Sequence, residues 1–340
     1  MLPIPTLLPN FSLRTHNTFG IDAIADLCLP VRGVADLQAL HADPGLMRLP
    51  RLILGGGSNI VLNGDFHGLV LHSCSRGIEI IDQDDERTLV RAAAGVGWHE
   101  LVAWTLAHRL GGLENLSLIP GTVGAAPIQN IGAYGVEMER HFHALTAFDL
   151  ERGTLFTLDR DGCRFGYRDS IFKHAWKDRA VILDVTFTLP RHWVADFRYA
   201  ELATALAQVA DPDMQQVSAA VIAIRQRKLP DPAVIGNAGS FFKNPLVSRA
   251  RRDALLVRHP GLVSHDQPDG SAKLAAGWLI DQCGWKGRSL GAAGVYHKQA
   301  LVLVNLGGAR GEDVMQLARA IQADVLQRFG VQLEPEPIFV

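Results

Sequence analysis

The sequence predicts an α+β protein, and three observations carry that prediction. Short apolar runs with the two-residue period of strands stand beside amphipathic stretches with the period of helices. Three blocks of the chain separate on pattern, the middle one richest in strands. Residues 111–135, GGLENLSLIPGTVGAAPIQNIGAYG, hold six glycines and two prolines with almost no charge. That stretch is too long and irregular for a simple turn. Its glycines would let backbone N–H groups form concave nests, which favour phosphate or carboxylate.

In the first block, residues 33–42 (GVADLQALHA) predict a short helix, and Arg51–Leu54 a buried strand running into GGGSN at 55–59. Leu69–Leu71 is another short strand. In the second block, strands are expected at Ile78–Ile81 and Thr88–Ala94. A helix from about His99 to Leu110 follows, ended by Gly111 and Gly112. Ala144–Leu150 and Thr154–Leu158 read as a hairpin turned at Glu151, Arg152 and Gly153. Along 181–189, Val181, Leu183, Val185, Phe187 and Leu189 alternate with Asp184, Thr186 and Thr188, the pattern of a half-buried strand. Ser218 is placed to cap a helix that stops before Pro230.

The third block opens at Pro230-Asp231-Pro232. It holds GNAGSFFKNP at 236–245, a helix at Lys273–Cys283 and a strand at Ala300–Asn305. Its last helix, Glu312–Arg328, puts Val314, Leu317, Ile321 and Val325 on one face, with Gly330 beyond its end. LEPEPIFV, at the end of the sequence, reads as an edge-like strand because its prolines lack the N–H a ladder needs.

Composition narrows the partners. The chain has 340 residues, is 48% hydrophobic and 20% charged, and carries a net charge of −2, so no basic excess points to nucleic acid. No apolar run reaches the roughly 18 residues of a membrane span, and no membrane partner is expected. The first twenty residues lack a basic segment followed by an apolar core, so a cytoplasmic location is expected. Cys28, Cys74, Cys163 and Cys283 lie far apart and predict reduced thiols, buried or half-buried. The thirteen histidines form no HExxH or similar pair, so no metal site is expected. A monomer is expected.

Several motifs invite chemistry, each with a plainer alternative. GGGSN follows an apolar strand but is not GxGxxG, since Ile60 stands where the third glycine would be. It fits a strand-ending turn as well as a phosphate loop. Together with 111–135 it suits a dinucleotide or flavin, which has a pyrophosphate and two ends. In GYRDSIFK (166–173), Arg168 offers a fixed fork of donors for a carboxylate or phosphate, or a surface ion pair with Asp169. In GNAGSFFKNP, Ser240 would sit on tight, exposed backbone anchored by Phe241 and Phe242. Phe242 stands where GxSxG needs glycine, so Ser240 is a proton donor, an oxyanion contact or a turn residue rather than a hydrolase nucleophile. Glu334 and Glu336 flank Pro335 at i and i+2, pointing to one side of an extended segment, as exposed edge residues or as a site.

Taken in order, NTFGI (17–21), LGGGSN (54–59), GLENLSLIPGTVGAAPIQNIGAYGVE (112–137), FGYRDSIFK (165–173), RQRKLPDP (225–232), GNAGSFFKNP (236–245), AAGWLIDQCGWKG (275–287) and LEPE (333–336) span nearly the whole chain. In these strings the chain resembles the UDP-N-acetylenolpyruvoylglucosamine reductase family, in its longer-loop form. These are flavoenzymes of peptidoglycan precursor synthesis.

The resemblance implies an FAD-binding fold of the vanillyl-alcohol-oxidase type with a C-terminal substrate-binding α+β domain. Residues 1–75 with 330–340 would form one FAD subdomain, 76–230 a second, and 231–329 the substrate domain. It implies noncovalent FAD, and NADPH as hydride donor using the same cleft as the substrate. The implied reaction reduces UDP-N-acetylglucosamine-enolpyruvate to UDP-N-acetylmuramate. The alternative is a flavin oxidase of the same fold acting on another sugar or lactone.

By matching position, Arg168 and Glu336 would stabilise the enolate formed on hydride addition, and Ser240 would protonate it. FAD would rest on Gly55, Gly56, Gly57, Ser58 and Asn59 and on Gly121, Thr122, Gly124, Ala125 and Ala126, with Gln129, Asn130, Ile131 and Ile182 completing its site. Tyr167, Tyr199, Lys228, Asn244, His265 and Gln299 would meet the substrate. The chain departs from some members at His265, where they carry a tyrosine, and at Ile338, where they carry a basic residue two positions after the glutamate.

Overall fold

Parallel pairing opens the fold. In the computed structural model, which describes residues 6–340, Phe66–Ser73 pairs in parallel with Ile24–Val31 on one side and Arg51–Leu54 on the other. The helix Val34–His41 buries Leu37 and Leu40 with Leu29, Leu69 and Leu71, so a small β/α layer forms where apolar runs of strand length flank a short helical pattern. These elements belong to the first of two compact units, most of which is Ala25–Gly57 and Phe66–Arg227.

The rest of the first unit is built on a five-stranded antiparallel sheet. Its order is Thr154–Asp159, Phe142–Asp149, Ala180–Pro190, Arg87–Ala93, Ile78–Gln83. The expected hairpin is present, and the Asp149 carboxylate shapes its turn by accepting from the N–H groups of Glu151 and Arg152. The helix Trp98–Ala107 packs Trp98, Leu101 and Val102 into one core with Val90, Ala92, Val185 and Phe187. It stops before the glycines: Arg109 already takes φ 59°, and Gly112 takes φ 130°.

Two expectations for this unit are corrected. The strand at 181–189 is not half-buried. Its pairing with Phe142–Asp149 shifts register between Thr146 and Ala147, so Ile182 is buried in one core with Val185 and Phe187 while Val181 is buried in another with Leu29 and Leu69. Thr186 is buried too, and burial raises the Asp184 pKa. Ser218 does not cap a helix but lies inside Met214–Lys228. Asp213 begins that helix instead: its carboxylate accepts from the Gln216 N–H, and its own N–H donates to the Gln216 side chain. Ser218 is buried, its hydroxyl 2.7 Å from that of Ser117.

The second unit holds Ser12–Ile24, Ser58–Asp65 and Lys228–Val340. A four-stranded antiparallel sheet runs Asn237–Ser240, Val302–Asn305, Ala293–Val295, Ser289–Leu290. A three-stranded sheet has Ser271–Leu274 between Leu246–Ser248 and Ser264–Asp266. The helix Gly311–Phe329 buries Val314, Leu317, Ile321 and Val325 as expected, and Gly330 ends it at φ 61°.

The helix expected from Lys273 starts only at Ala276 and runs to Gln282. Lys273 and Leu274 stay in the strand because burial there alternates, with Ala272 and Leu274 inside, and the Asn244 side chain accepts from the Ala276 N–H. Of the segment expected as an edge strand at the end of the sequence, Ile338–Phe339 forms a strand, in parallel with Ile60–Val61, and Pro335 makes a single antiparallel bridge with Phe242. Pro335 and Pro337 have no N–H to donate, so no longer ladder forms. All four cysteines are reduced, two buried and two half-buried.

Candidate active site

In the first unit the two glycine-rich loops lie backbone against backbone. A Cβ on Gly56 would come within 2.9 Å of Gly121 Cα, and one on Gly55 within 2.5 Å of Thr122 Oγ1. Glycine is demanded there by close approach, not by φ. Gly124 sits equally tightly on Ala94, at 2.5 Å from its Cβ. The N–H groups of residues 123–126 are used up on the carbonyls of Val96, Ala94 and Thr122, but the buried Thr122 hydroxyl has no partner. A buried donor without a partner costs about 1–3 kcal/mol, which an anionic guest would recover. The group implied by the sequence, a flavin dinucleotide, fits this cradle. Ala126 and Ile182 are buried beside it in the same core, while Ala125 and Gln129 are half-buried.

Three hydrogen bonds then tie the FGYRDSIFK turn to the glycine-rich stretch. Ser170 Oγ donates to Ile128 O at 2.7 Å, Asn130 Nδ2 to Gly166 O at 3.3 Å, and Arg168 Nη2 to Gly132 O at 2.8 Å. Asn130 takes φ 45°, is buried, and also donates to the Glu137 carboxylate at 3.2 Å, so its side chain shapes the protein. Arg168 takes φ 55° in the turn closed by Gly166 and Asp169. Its guanidinium carbon lies 5.4 Å from the centre of the Tyr167 ring. A Cβ on Gly132 would approach Arg168 Nη1 to 3.2 Å, so the missing side chain makes room for the guanidinium. The Asp169 carboxylate meets His174 at 2.9 Å.

Tyr199 is exposed and its ring stands edge-on to Tyr134, 5.2 Å between centroids. Burial pushes the Tyr134 hydroxyl up to about 12. Sequence reasoning missed Arg225, whose buried Nε has no partner. Its charge lowers the His99 pKa, second to burial, and burial lowers its own. Within RQRK, one of the strings that carry the family resemblance, only tertiary burial distinguishes Arg225.

In the second unit four expected residues are brought together by strand pairing. Ser240 pairs with Val302. Gly239, at φ 68°, turns the chain so that Ser240 is exposed, while Phe241 and Phe242 are buried and edge-on at 5.2 Å. The N–H of Phe241 donates to Leu301 O at 2.7 Å, and its carbonyl accepts from the Glu336 N–H at 2.8 Å. Asn244 Oδ1 caps Ala276, and Gln299 Oε1 lies against the next residue, 3.3 Å from where a Gly277 Cβ would be. Asn59 joins the group, its Nδ2 donating to Glu336 O at 3.2 Å and its carbonyl accepting from the Ile338 N–H. Ser58 and Asn59 thus belong to the second unit and Gly55–Gly57 to the first. Glu334 is exposed and pairs with Lys243 at 3.2 Å, so of the two glutamates it is the edge residue. His265 is exposed on Ser264–Asp266, and Lys228 is the last residue of its helix.

The model of the UDP-N-acetylenolpyruvoylglucosamine reductase C-terminal domain matches residues 231–340, and that of an FAD binding domain matches 27–159. The UDP-N-acetylenolpyruvoylglucosamine reductase of Paraburkholderia phymatum is 57% identical over 98% of this chain and 99% of its own. That of Burkholderia lata is 55% identical over 98% and 97%. Among solved structures, UDP-N-acetylenolpyruvylglucosamine reductase from Thermus caldophilus superposes with TM-score 0.66 at 24% identity, covering 98% of both chains. A solvent-stable cholesterol oxidase superposes with TM-score 0.51 at 13% identity, over 98% of this chain and 87% of that one. The fold is the FAD-binding fold of the vanillyl-alcohol-oxidase type with an added C-terminal α+β domain. Among the described residues no helix is long and apolar enough to cross a membrane.

Proposed function

The chain belongs to the UDP-N-acetylenolpyruvoylglucosamine reductase family, and we propose that it reduces UDP-N-acetylglucosamine-enolpyruvate to UDP-N-acetylmuramate in peptidoglycan precursor synthesis. Bound noncovalently and reduced by NADPH, FAD would supply a hydride for the enolpyruvyl methylene carbon. The observation that carries the reading is the gathering of Ser240, Asn244, Gln299 and Glu336 in one unit by strand pairing and capping.

The residues divide the work by their chemistry. Gly55–Gly57 and Gly121–Ala126 are assigned to line the dinucleotide, their missing or small side chains giving it room, with Thr122 donating its unpartnered hydroxyl. Hydride addition leaves charge on the carbon beside the substrate carboxylate. Arg168, anchored on Gly132, is assigned to hold that carboxylate, where fixed donors act on charge as it develops. Glu336 is assigned to the same developing charge, as a neutral acid or by ordering a donor, since an ionised carboxylate would repel it. Ser240 gives the proton to that carbon from its exposed position on the strand edge. Tyr167, Tyr199, Lys228, Asn244, His265 and Gln299 are assigned to the rest of the substrate, and Arg225 to an anionic group of a bound ligand.

On this reading residues 1–75 with 330–340 and residues 76–230 hold FAD, and 231–329 hold substrate. The protein acts in the cytoplasm as a monomer. The test is direct. The purified protein should be yellow, and NADPH oxidation should depend on UDP-N-acetylglucosamine-enolpyruvate. Flavin reduced by NADPH but reoxidised only by oxygen would favour a flavin oxidase instead.

A further inference from the structure

Residues 193–198, which lead into Tyr199, form neither helix nor strand, yet buried side chains of the glycine-rich stretch hold them. Trp193 Nε1 donates to Glu114 Oε1 at 2.8 Å, while Glu114 Oε2 accepts from the Gly112 N–H at 2.5 Å. Glu114 is 3% exposed. Its neighbour Asn115, fully buried, donates from Nδ2 to the carbonyls of Asp196 at 2.7 Å and Tyr134 at 3.0 Å. The Asp196 carboxylate is held in turn by Arg198 and Arg140. Tyr134, fixed through its carbonyl by Asn115, is the residue whose ring supports Tyr199.

We infer that Glu114 and Asn115 are positioning residues that hold Tyr199 for the substrate, and that the ENLS part of the glycine-rich stretch works on the substrate side and not on the flavin. The inference rests on Tyr199 being a substrate contact, as proposed above. Two features argue for positioning over plain packing. The first is residue type. Both partners of Glu114 are donors, so only an acceptor-only carboxylate satisfies them. Both partners of Asn115 are acceptors, so only the amide NH₂ does. Its own Oδ1 is left buried without a partner, a cost accepted to keep that orientation. The second is space. A cavity of about 260 Å³ lined by Gly112, Glu114, His141, Trp193, Val194 and Asp196 adjoins the contact. The indole therefore has room to leave Gly111, where a Cβ would meet its ring at 2.2 Å, once the hydrogen bond is lost.

The isosteric exchanges Glu114→Gln and Asn115→Asp each put like against like in this strap. With flavin reduced in advance by dithionite, each should raise the KM for UDP-N-acetylglucosamine-enolpyruvate by about tenfold, the worth of one hydrogen bond. Flavin content and the rate of flavin reduction should stay within about twofold, well under the tenfold that one such bond represents. In a Tyr199→Ala background neither exchange should raise KM further, because the coupled partner is already gone. Trp193→Phe removes the donated N–H together with part of the ring, leaves Glu114 unchanged, and should raise KM at least as much as Glu114→Gln, which covers the case of an exchange that fails to fold. Tyr199→Ala raising KM while Glu114→Gln, Asn115→Asp and Trp193→Phe leave it unchanged overturns the strap alone. Tyr199→Ala leaving KM unchanged overturns both the strap and the contact on which it rests.

Discussion

The backbone N–H of Glu336 donates to the carbonyl of Phe241 at 2.8 Å, across 95 residues of sequence, the difference between the two positions. That bond makes Ser240 and Glu336 neighbours of one ladder. Phe241 and Phe242 are buried beneath it and fix its height, so the serine is exposed on a rigid base.

Ser240→Ala should therefore leave the fold and flavin binding unchanged, since an exposed hydroxyl supports neither. Flavin should still be bleached by NADPH, while reoxidation by the enolpyruvyl substrate should fall ~10²–10⁴-fold, the usual worth of a positioned acid. Rapid-mixing absorbance of both half-reactions checks this. Unimpaired reoxidation would remove Ser240 from the mechanism.

Arg168→Lys keeps the charge but loses the fork that reaches both the Gly132 carbonyl and a carboxylate. Turnover should fall roughly 10²–10³-fold, as when one preorganised donor at developing charge is removed, with flavin reduction by NADPH retained. Steady-state and single-turnover rates on one preparation separate the two.

Gly56→Ala places a methyl group 2.9 Å from the Gly121 backbone, where no flexible side chain is available to yield. Overpacking of this kind costs about 1–3 kcal/mol. The variant should purify with little flavin, and its affinity for added FAD should fall by at least about tenfold. The ratio of flavin to protein absorbance measures this, and a fully yellow variant would refute the cradle.

Stability should decline in acid in two steps. His141, its Nδ1 facing Thr188 O, is pushed by burial down to about 4 from 6.5. The folded protein thus refuses a proton that the unfolded chain accepts, and stability falls as pH drops from about 6.5 to 4, by up to about 3 kcal/mol. Asp149 lies the other side of this window. Its hydrogen bonds from Arg179, at 2.6 and 2.9 Å, hold its carboxyl at about 2, so its contribution is present above pH ~4 and is lost between about 4 and 2. Denaturant midpoints against pH should lose the first slope in His141→Gln and the second in Asp149→Asn.

Much of the site was legible as strings, because backbone demands leave a mark on residue type. Glycines at 55, 56 and 124 mark places where an added Cβ would collide, with Thr122 Oγ1, the Gly121 backbone and Ala94, and Ser240 between Gly239 and two aromatics marks an exposed turn on a buried base. What pattern missed were residues whose meaning depends on distant neighbours. Arg225 looks like one charge among several until its Nε is found buried and unpartnered. Asn130, expected beside the flavin, turns its side chain to Gly166 and Glu137 and holds the Arg168 turn.

By itself the sequence determined the fold class, the family, and the glycine and serine positions on which chemistry is assigned, since local period and residue type carry that information. Only the tertiary structure decided that the 181–189 strand is covered on both faces, that Lys273 extends a strand and not a helix, and that Glu114 and Asn115 serve the Tyr199 segment. The physical reason is one of range. Burial and hydrogen-bond partners are set by segments tens to hundreds of residues away, and no local pattern records which of them will arrive.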